Sequence, residues 1–385
     1  MSINELRFMY RDEYTEEEIE AKRYNLYREK NLQIRRYDNG VIVPEGVGEK
    51  SGVYNEEGKY VVNSGNLSFS GGSITIRDLK YKPEDTNHIL EKEEIEKIYP
   101  FPVIFVYVKY HYGHFLMDTL SHLWENEFIK GDMHIAVVID QRKTAEYMME
   151  VMELLEIDKG RIILIDKVSK FDSVYIPDFS YFQSDYITKE YGATFDKIIG
   201  NVKLNLPVYE KIYFSRVHFT KGGINRAEKG IHREYGEKKI EKVFEDNGFK
   251  VFYPEELSLK EQIYYINNCK VLVTTNGTIA HNILFAKEGT DLIIINRFPM
   301  PYFGNWHQKA INELRKINCV SIDAYAKVSY RGFSRLIFSD PLLKFFKEKE
   351  FRVKYSWGNL KCEIEETIEF YARFTFRKLK SLIKR

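Results

Sequence analysis

The chain has 385 residues, of which 44% are hydrophobic and 30% charged, and its formal net charge is +1. That length exceeds what one hydrophobic core serves, so two packed domains with terminal additions are expected. The balanced composition excludes a disordered chain or a nucleic-acid-coating protein, and no nucleic-acid partner is expected.

Cys269, Cys319 and Cys362 lie far apart with no CxxC pair, and an odd number closes no disulfide framework, which points to a reducing compartment. The opening MSINELRFMYRDEYTEEEIE is acidic and lacks an apolar core, unlike a signal peptide, and no apolar run approaches the ~20 residues that span a bilayer. A cytoplasmic protein is the expectation. Its 28 Tyr and 26 Phe are read first as core packing and second as platforms for sugar rings.

Residues 1–100 combine an acidic helical start at 15–30 with alternating segments such as NLSFSGGSITIRDL, a hairpin turning at Gly71 and Gly72. From Pro102 the pattern becomes strand and helix in alternation: PVIFVYV, helical spacing through Trp124, IAVVID, a helix through Leu155, RIILID and SVYIP. A second series runs through KIYFSR, a helix at 235–248, KVFYP, a helix at 258–268 begun by a Ser258–Glu261 capping box, KVLVTT, a helix after Gly277, and DLIIIN. Short apolar strands alternating with helices predict parallel sheets, hence an α/β fold with two Rossmann-like domains linked near 200–207. Nucleotides bind such domains at the carboxyl ends of their strands, so a cleft between the two is the expected site. There is no GxGxxG fingerprint and no GxxxxGK[ST] loop, which lowers the weight of a dinucleotide dehydrogenase or a P-loop kinase. The tail FYARFTFRKLKSLIKR is basic, with Phe370, Phe374, Leu379, Leu382 and Ile383 at near-helical spacing. It suits an anionic membrane surface or a helix folded back over the first domain.

Three constellations can carry chemistry. In HYGHFLMDTLSHLW, a regular helix would gather His111, His114, Asp118 and His122 in one sector, with Leu116, Leu120 and Leu123 opposite. A His four residues from an Asp has its tautomer fixed and its basicity raised, as a general base for a sugar hydroxyl requires. The same cluster can be read as a metal site or as solvated histidines, although it lacks the HExxH pattern. In VLVTTNGTIAHNILF, a strand runs through Asn276, a helix cap, and Gly277, a tight turn, into a helix starting at Thr278, whose free amides suit a diphosphate. His281 and Asn282, in or after its first turn, are placed to touch phosphate or ribose. In KIYFSR and FTKGGINR, Arg216, Lys221 and Arg226 supply the cations that steady a leaving diphosphate without a metal.

The order HYGHFLMDTL, KIYFSR, GFKVFYPEELSLKEQIYYINNCKVLV and NGTIAHNILF, over roughly residues 100–300, resembles glycosyltransferase family 61. Bacterial members of that family are often labelled capsular polysaccharide biosynthesis proteins. The resemblance implies a two-domain GT-B fold that inverts the anomeric centre without a metal. It makes His114 and Asp118 candidate bases and Arg216, Gly277, Thr278 and Asn282 candidate donor-site residues. Two positions depart from the family pattern: Asn276 stands where a histidine is common, and Asn296 where a glutamate is.

The expected organisation is a mixed α/β lead-in at 1–100, an acceptor domain at 101–205, a nucleotide-sugar donor domain at 206–330 and a basic helical tail at 331–385. The expected activity is transfer of a sugar from a nucleotide sugar to a surface or capsular glycan, lipid-linked or free. His114, Asp118 and His111 would be catalytic, and Arg216, Arg226, Asn276, Gly277, Thr278, His281 and Asn282 would bind the donor. No metal or other cofactor is expected, and the tail would give a peripheral contact with the inner face of the cell membrane. Two other classes stand beside this reading: a metal-dependent hydrolase using His111, His114, Asp118 and His122, and a non-catalytic nucleotide or sugar binder.

Overall fold

The computed structural model describes residues 7–9, 27–45, 51–61, 64–65, 67–70, 73–76, 89–125, 131–139, 145–182, 185–218, 235–297, 306–326, 335–354, 364–368, 370–372, 375–376 and 379. The chain divides into two compact units, Asn25–Lys203 and Met1–Tyr24 with Leu204–Arg385. Both are mixed α/β units with a parallel-rich sheet.

In the unit Asn25–Lys203 the strand Lys97–Val108 is central, and its second half, Val103–Val108, is buried throughout. A strand covered on both faces needs such a continuous apolar run. The sheet runs, edge to edge, Gly52–Tyr54, Val41–Val43, Ser169–Pro177, Lys97–Val108, His134–Ile139 and Ile162–Leu164, with Ile34–Asp38 also on Ser169–Pro177. Its last four members are parallel, and the three from residues 34–54 are antiparallel additions. The stretch read as part of a lead-in thus supplies sheet strands. Residues 27–30, expected at the end of a helix, are not helical: Tyr27 bridges Ile187, and Arg28 N donates to Ile187 O at 3.0 Å. The rest of that expected helix and the turn glycines Gly71 and Gly72 lie outside the described residues, although Leu67–Ser70 and Ser73–Ile76 do pair antiparallel.

The second unit holds a parallel sheet ordered Arg7–Met9, Asn318–Asp323, Asp291–Asn296, Val271–Thr275, Lys211–Phe214 and Lys250–Phe252. The helix Glu237–Asp246 buries Ile240, Val243 and Phe244 against Tyr213, and Phe345, Phe346 and Phe351 close the same cluster. Much of the aromatic content is therefore spent on core packing. The helix Leu259–Asn268 begins with the capping box read from the sequence: Ser258 Oγ accepts from Glu261 N, and Glu261 Oε2 accepts from Ser258 N at 2.8 Å.

Helical residues within 364–379 contact the same unit. Phe370 is buried edge-on to Tyr235, Gly236 N donates to Glu366 Oε2 at 2.8 Å, and Arg335 bonds Thr367. Tyr371, Phe376 and Leu379 are exposed, so Phe370 and Leu379 do not share one apolar face. Phe374, Leu382 and Ile383 lie outside the described residues. Among the described residues no helix is long and apolar enough to cross a membrane.

Each sheet has a point where the strand order reverses. The chain leaves Lys97–Val108 toward His134–Ile139 on one side and returns to Ser169–Pro177 on the other. It likewise leaves Lys211–Phe214 toward Lys250–Phe252 and returns to Val271–Thr275. In open α/β sheets the crevice at the carboxyl ends of such a strand pair is where ligands bind.

Candidate active site

The segment after Val108 is not the regular helix its spacing predicts. Tyr112–His114 form one α-turn, Phe115–Thr119 a π-turn and Leu120–His122 a 3-10 turn. π-turns disturb the i to i−4 ladder and gather at functional sites. Neighbours hold this one in place: Tyr191 Oη donates to Leu116 O at 2.8 Å, Thr194 Oγ1 to Leu123 O at 3.3 Å, and Lys109 N to Thr119 Oγ1 at 2.9 Å. Leu116, Leu120 and Leu123 are buried as the spacing predicts.

The irregular turns redistribute the polar residues. His114 and Asp118 meet, with Nδ1 of His114 donating to Oδ2 of Asp118 at 2.9 Å. The imidazole is half exposed, whereas the carboxylate is 14% exposed. His111 caps the first turn, its carbonyl accepting from Phe115 N at 2.8 Å and its ring edge-on to Tyr110. His122 leaves the expected stripe altogether. It is buried against Phe179, its Nδ1 donates to Pro177 O at 2.9 Å, and burial pushes its pKa down to about 4. The four-residue cluster is thus one pair, one capping residue and one neutral, buried imidazole. Among the described residues no three His, Cys, Asp or Glu side chains gather as a ligand set.

At the reversal point of the other sheet, Arg216 follows Lys211–Phe214 and Gly277 follows Val271–Thr275, on adjacent parallel strands. Gly277 has φ 125° and ψ −165°, a conformation that essentially only glycine adopts. A Cβ there would stand 3.0 Å from Nη2 of Arg297 and 3.7 Å from Nη1 of Arg216. Two guanidinium groups therefore border the space above the glycine. Arg297 was not singled out in the sequence. It follows the strand Asp291–Asn296, whose register pairs Thr275 with Ile295 and so carries Arg297 to the level of Gly277. An arginine one residue past the end of that strand was the available signal.

Asn276, expected to cap the following helix, orients Arg297 instead: its Oδ1 accepts from Arg297 N at 3.0 Å and from Nε at 3.1 Å, and its carbonyl accepts from Nε at 2.9 Å. Gly277 takes the cap position. The helix from Thr278 is Thr278–His281 only, followed by a 3-10 turn at Asn282–Phe285. So short an element carries little dipole, and the positive potential of this site comes from its arginines. His281 is buried, its Nδ1 donating to Gln308 Oε1 at 3.0 Å, and Asn282 is buried too. Asn296 donates to Ser321 Oγ at 2.9 Å and Asp323 Oδ1 at 2.8 Å. Lys221 and Arg226 lie outside the described residues.

Burial sets the electrostatics here. It lowers the pKa of Arg216, against the pull of Glu237 and Glu255. For Arg297, burial and then the charge on Arg216 both act to lower the pKa. Guanidinium groups stay protonated in proteins, so the two like charges remain and favour an anion between them. Behind Arg216, Glu237 is fully buried; its Oε1 accepts from Arg216 N at 3.0 Å and from Tyr213 Oη at 3.2 Å, and burial raises its pKa to about 7.

An exposed imidazole backed by a carboxylate suits proton abstraction, and a buried and a part-buried arginine over a glycine suit a diphosphate. No curated protein matches the chain. The family model Glycosyltransferase 61 matches residues 112–293, a span from the His114 turn to the strand before Arg297. Residues 112–293 thus carry a glycosyltransferase 61 domain, and a glycosyltransferase takes a sugar donor and an acceptor.

Proposed function

We propose that the protein is an inverting, metal-independent glycosyltransferase that moves a sugar from a nucleotide sugar to a surface or capsular glycan. Its two Rossmann-like units would act as acceptor and donor halves of a GT-B-type enzyme. The observation that carries this reading is Gly277, in a conformation reserved for glycine and bordered by Arg216 and Arg297 where the strand order reverses. Dense positive charge at a point where the backbone admits only glycine matches a diphosphate better than a neutral ligand.

His114 is the base in this reading. Because its Nδ1 donates to Asp118, the tautomer leaves Nε2 as the free acceptor, and the carboxylate steadies the imidazolium that forms. The acceptor hydroxyl gives its proton to Nε2 while its oxygen attacks the anomeric carbon. The bond from that carbon to the diphosphate breaks, and its electron pair leaves with the diphosphate, whose charge Arg216 and Arg297 stabilise. Attack opposite the leaving group inverts the centre. The positive charge of the tail, rather than an apolar helix face, supports a peripheral contact with the inner face of the cell membrane, where lipid-linked acceptors are held.

The test is a thermal-shift series with nucleoside diphosphates and nucleotide sugars in EDTA, since a ligand of the folded state raises the melting temperature. The expected result is a shift with one nucleoside diphosphate that Arg216→Ala abolishes. A shift with transition metals and with none of the nucleotides would overturn the reading.

A further inference from the structure

The reversal point of the Asn25–Lys203 sheet carries more than the His114 and Asp118 pair. Beyond Pro177 the chain forms a two-stranded ribbon, Tyr181–Phe182 on Tyr186–Ile187. Together with the strand Ile34–Asp38 it walls a cavity of about 220 Å³. Clefts for drug-sized ligands span roughly 300–1,000 Å³; this one has room for a single sugar ring.

The lining has the chemistry of sugar recognition. Tyr37, Phe179, Phe182 and Tyr186 are four aromatic rings in the wall, with Phe182 and Tyr186 stacked on each other at 5.9 Å. Flat rings cover the apolar face of a pyranose, and the polar groups beside them hold its hydroxyls. Asp178 and Asp185 supply acceptors and Arg35 and Lys30 donors. The four lining charges, Arg35 and Lys30 against Asp178 and Asp185, sum to zero; Arg35 lies 2.9 Å from Asp178 and Lys30 sits 3.5 Å over the Tyr186 ring. A balanced wall favours a neutral polyhydroxyl ligand and disfavours a nucleotide or free phosphate.

The cavity is tied to the base. Phe179 and Phe182 also line a smaller cavity whose other walls include Asp118, His122 and Lys109. The connecting wall is held tightly: Ser180 N donates to Ser121 O at 2.8 Å, and Trp124 Nε1 donates to Asp178 O at 2.7 Å. A ring held in the larger cavity is therefore held at a fixed place relative to Asp118.

We propose that this cavity is a subsite for a neutral sugar ring of the acceptor glycan, adjoining the residue whose hydroxyl His114 deprotonates. The inference rests on the transferase reading above. The test is saturation-transfer NMR of the full chain with methyl glycosides of the common hexoses, pentoses and N-acetylhexosamines. The expected result is saturation transfer to at least one glycoside, binding about tenfold weaker in Phe182→Ala, weaker also in Asp185→Asn, and no displacement by inorganic phosphate. Absence of transfer from the wild-type chain, equal binding by both variants, or displacement by phosphate would overturn it. If Phe182→Ala fails to fold, Asp185→Asn, which alters an exposed side chain, decides alone. Nucleoside diphosphate binding by the wild-type chain reports the donor half separately. A chain that binds diphosphate and no glycoside breaks this inference alone; one that binds glycoside and no diphosphate breaks the donor reading.

Discussion

At the end of the strand Lys97–Val108, burial keeps His122 neutral, with its pKa pushed down to about 4. At the end of Lys211–Phe214, burial raises Glu237 to about 7 while Arg216 and Arg297 remain charged beside it. The first region hides its surplus base and leaves His114 half exposed. The second buries Arg297 and partly buries Arg216. On the proposed reading, the difference follows from the chemistry each region would serve. A base must exchange protons with substrate and solvent, whereas a diphosphate is held best by fixed donors shielded from water.

The comparison can be broken most sharply at His114. His114→Gln is expected to lower kcat/KM by about 10²–10⁴-fold with nucleoside diphosphate affinity unchanged; a matching loss of that affinity would show that the two regions do not divide the work.

Acidity should separate the two units next. His122 has a folded pKa below its ordinary value, so its contribution is present above about 6.5 and is lost as pH falls through about 4. Glu237 has a folded pKa above its ordinary value, so its contribution is present below 4.5 and is lost as pH rises through about 7. Hydrogen exchange read by unit should show Asn25–Lys203 loosening toward low pH and the other unit loosening toward neutral pH, each by up to about 3 kcal/mol. His122→Asn should flatten the first trend and Glu237→Gln the second.

A smaller effect is expected from Arg297→Ala, which should weaken nucleoside diphosphate binding roughly 10–100-fold by calorimetry. The cavity proposed as an acceptor subsite is lined by residues of the other unit, and its glycoside binding should not change. Smallest of all, Ser258→Ala should destabilise by about 1 kcal/mol through loss of the cap. Exchange protection should fall only in the unit that holds the helix Leu259–Asn268, and equal loss in both would show that they unfold together.

What the sequence made legible was local. PVIFVYV, KVLVTT and DLIIIN read as buried strands because a strand covered on both faces needs an unbroken apolar run, and Ser258 with Glu261 read as a cap because its partners are three residues apart. His114 and Asp118 paired across a single turn. His122 was misplaced because the helical period was carried through a π-turn that neighbours such as Tyr191 hold open. Arg297 stayed hidden because its place depends on the register between two strands, and the aromatic cavity because Tyr37 and Tyr186 come from distant segments. The capping role of Asn276 was lost to a tertiary partner, Arg297.

The pairing of Arg7–Met9 with Asn318–Asp323 sets an order of events during synthesis. The first strand of that sheet leaves the ribosome early and its partner near the end, after the whole of Asn25–Lys203 has emerged. Until then the early strand has no edge to join, and once Asn318–Asp323 has formed its edge is a template for any extended chain that reaches it first. A truncation that removes residues 7–9 would leave that template permanently open, so aggregation during expression, rather than loss of catalysis, is the failure to look for.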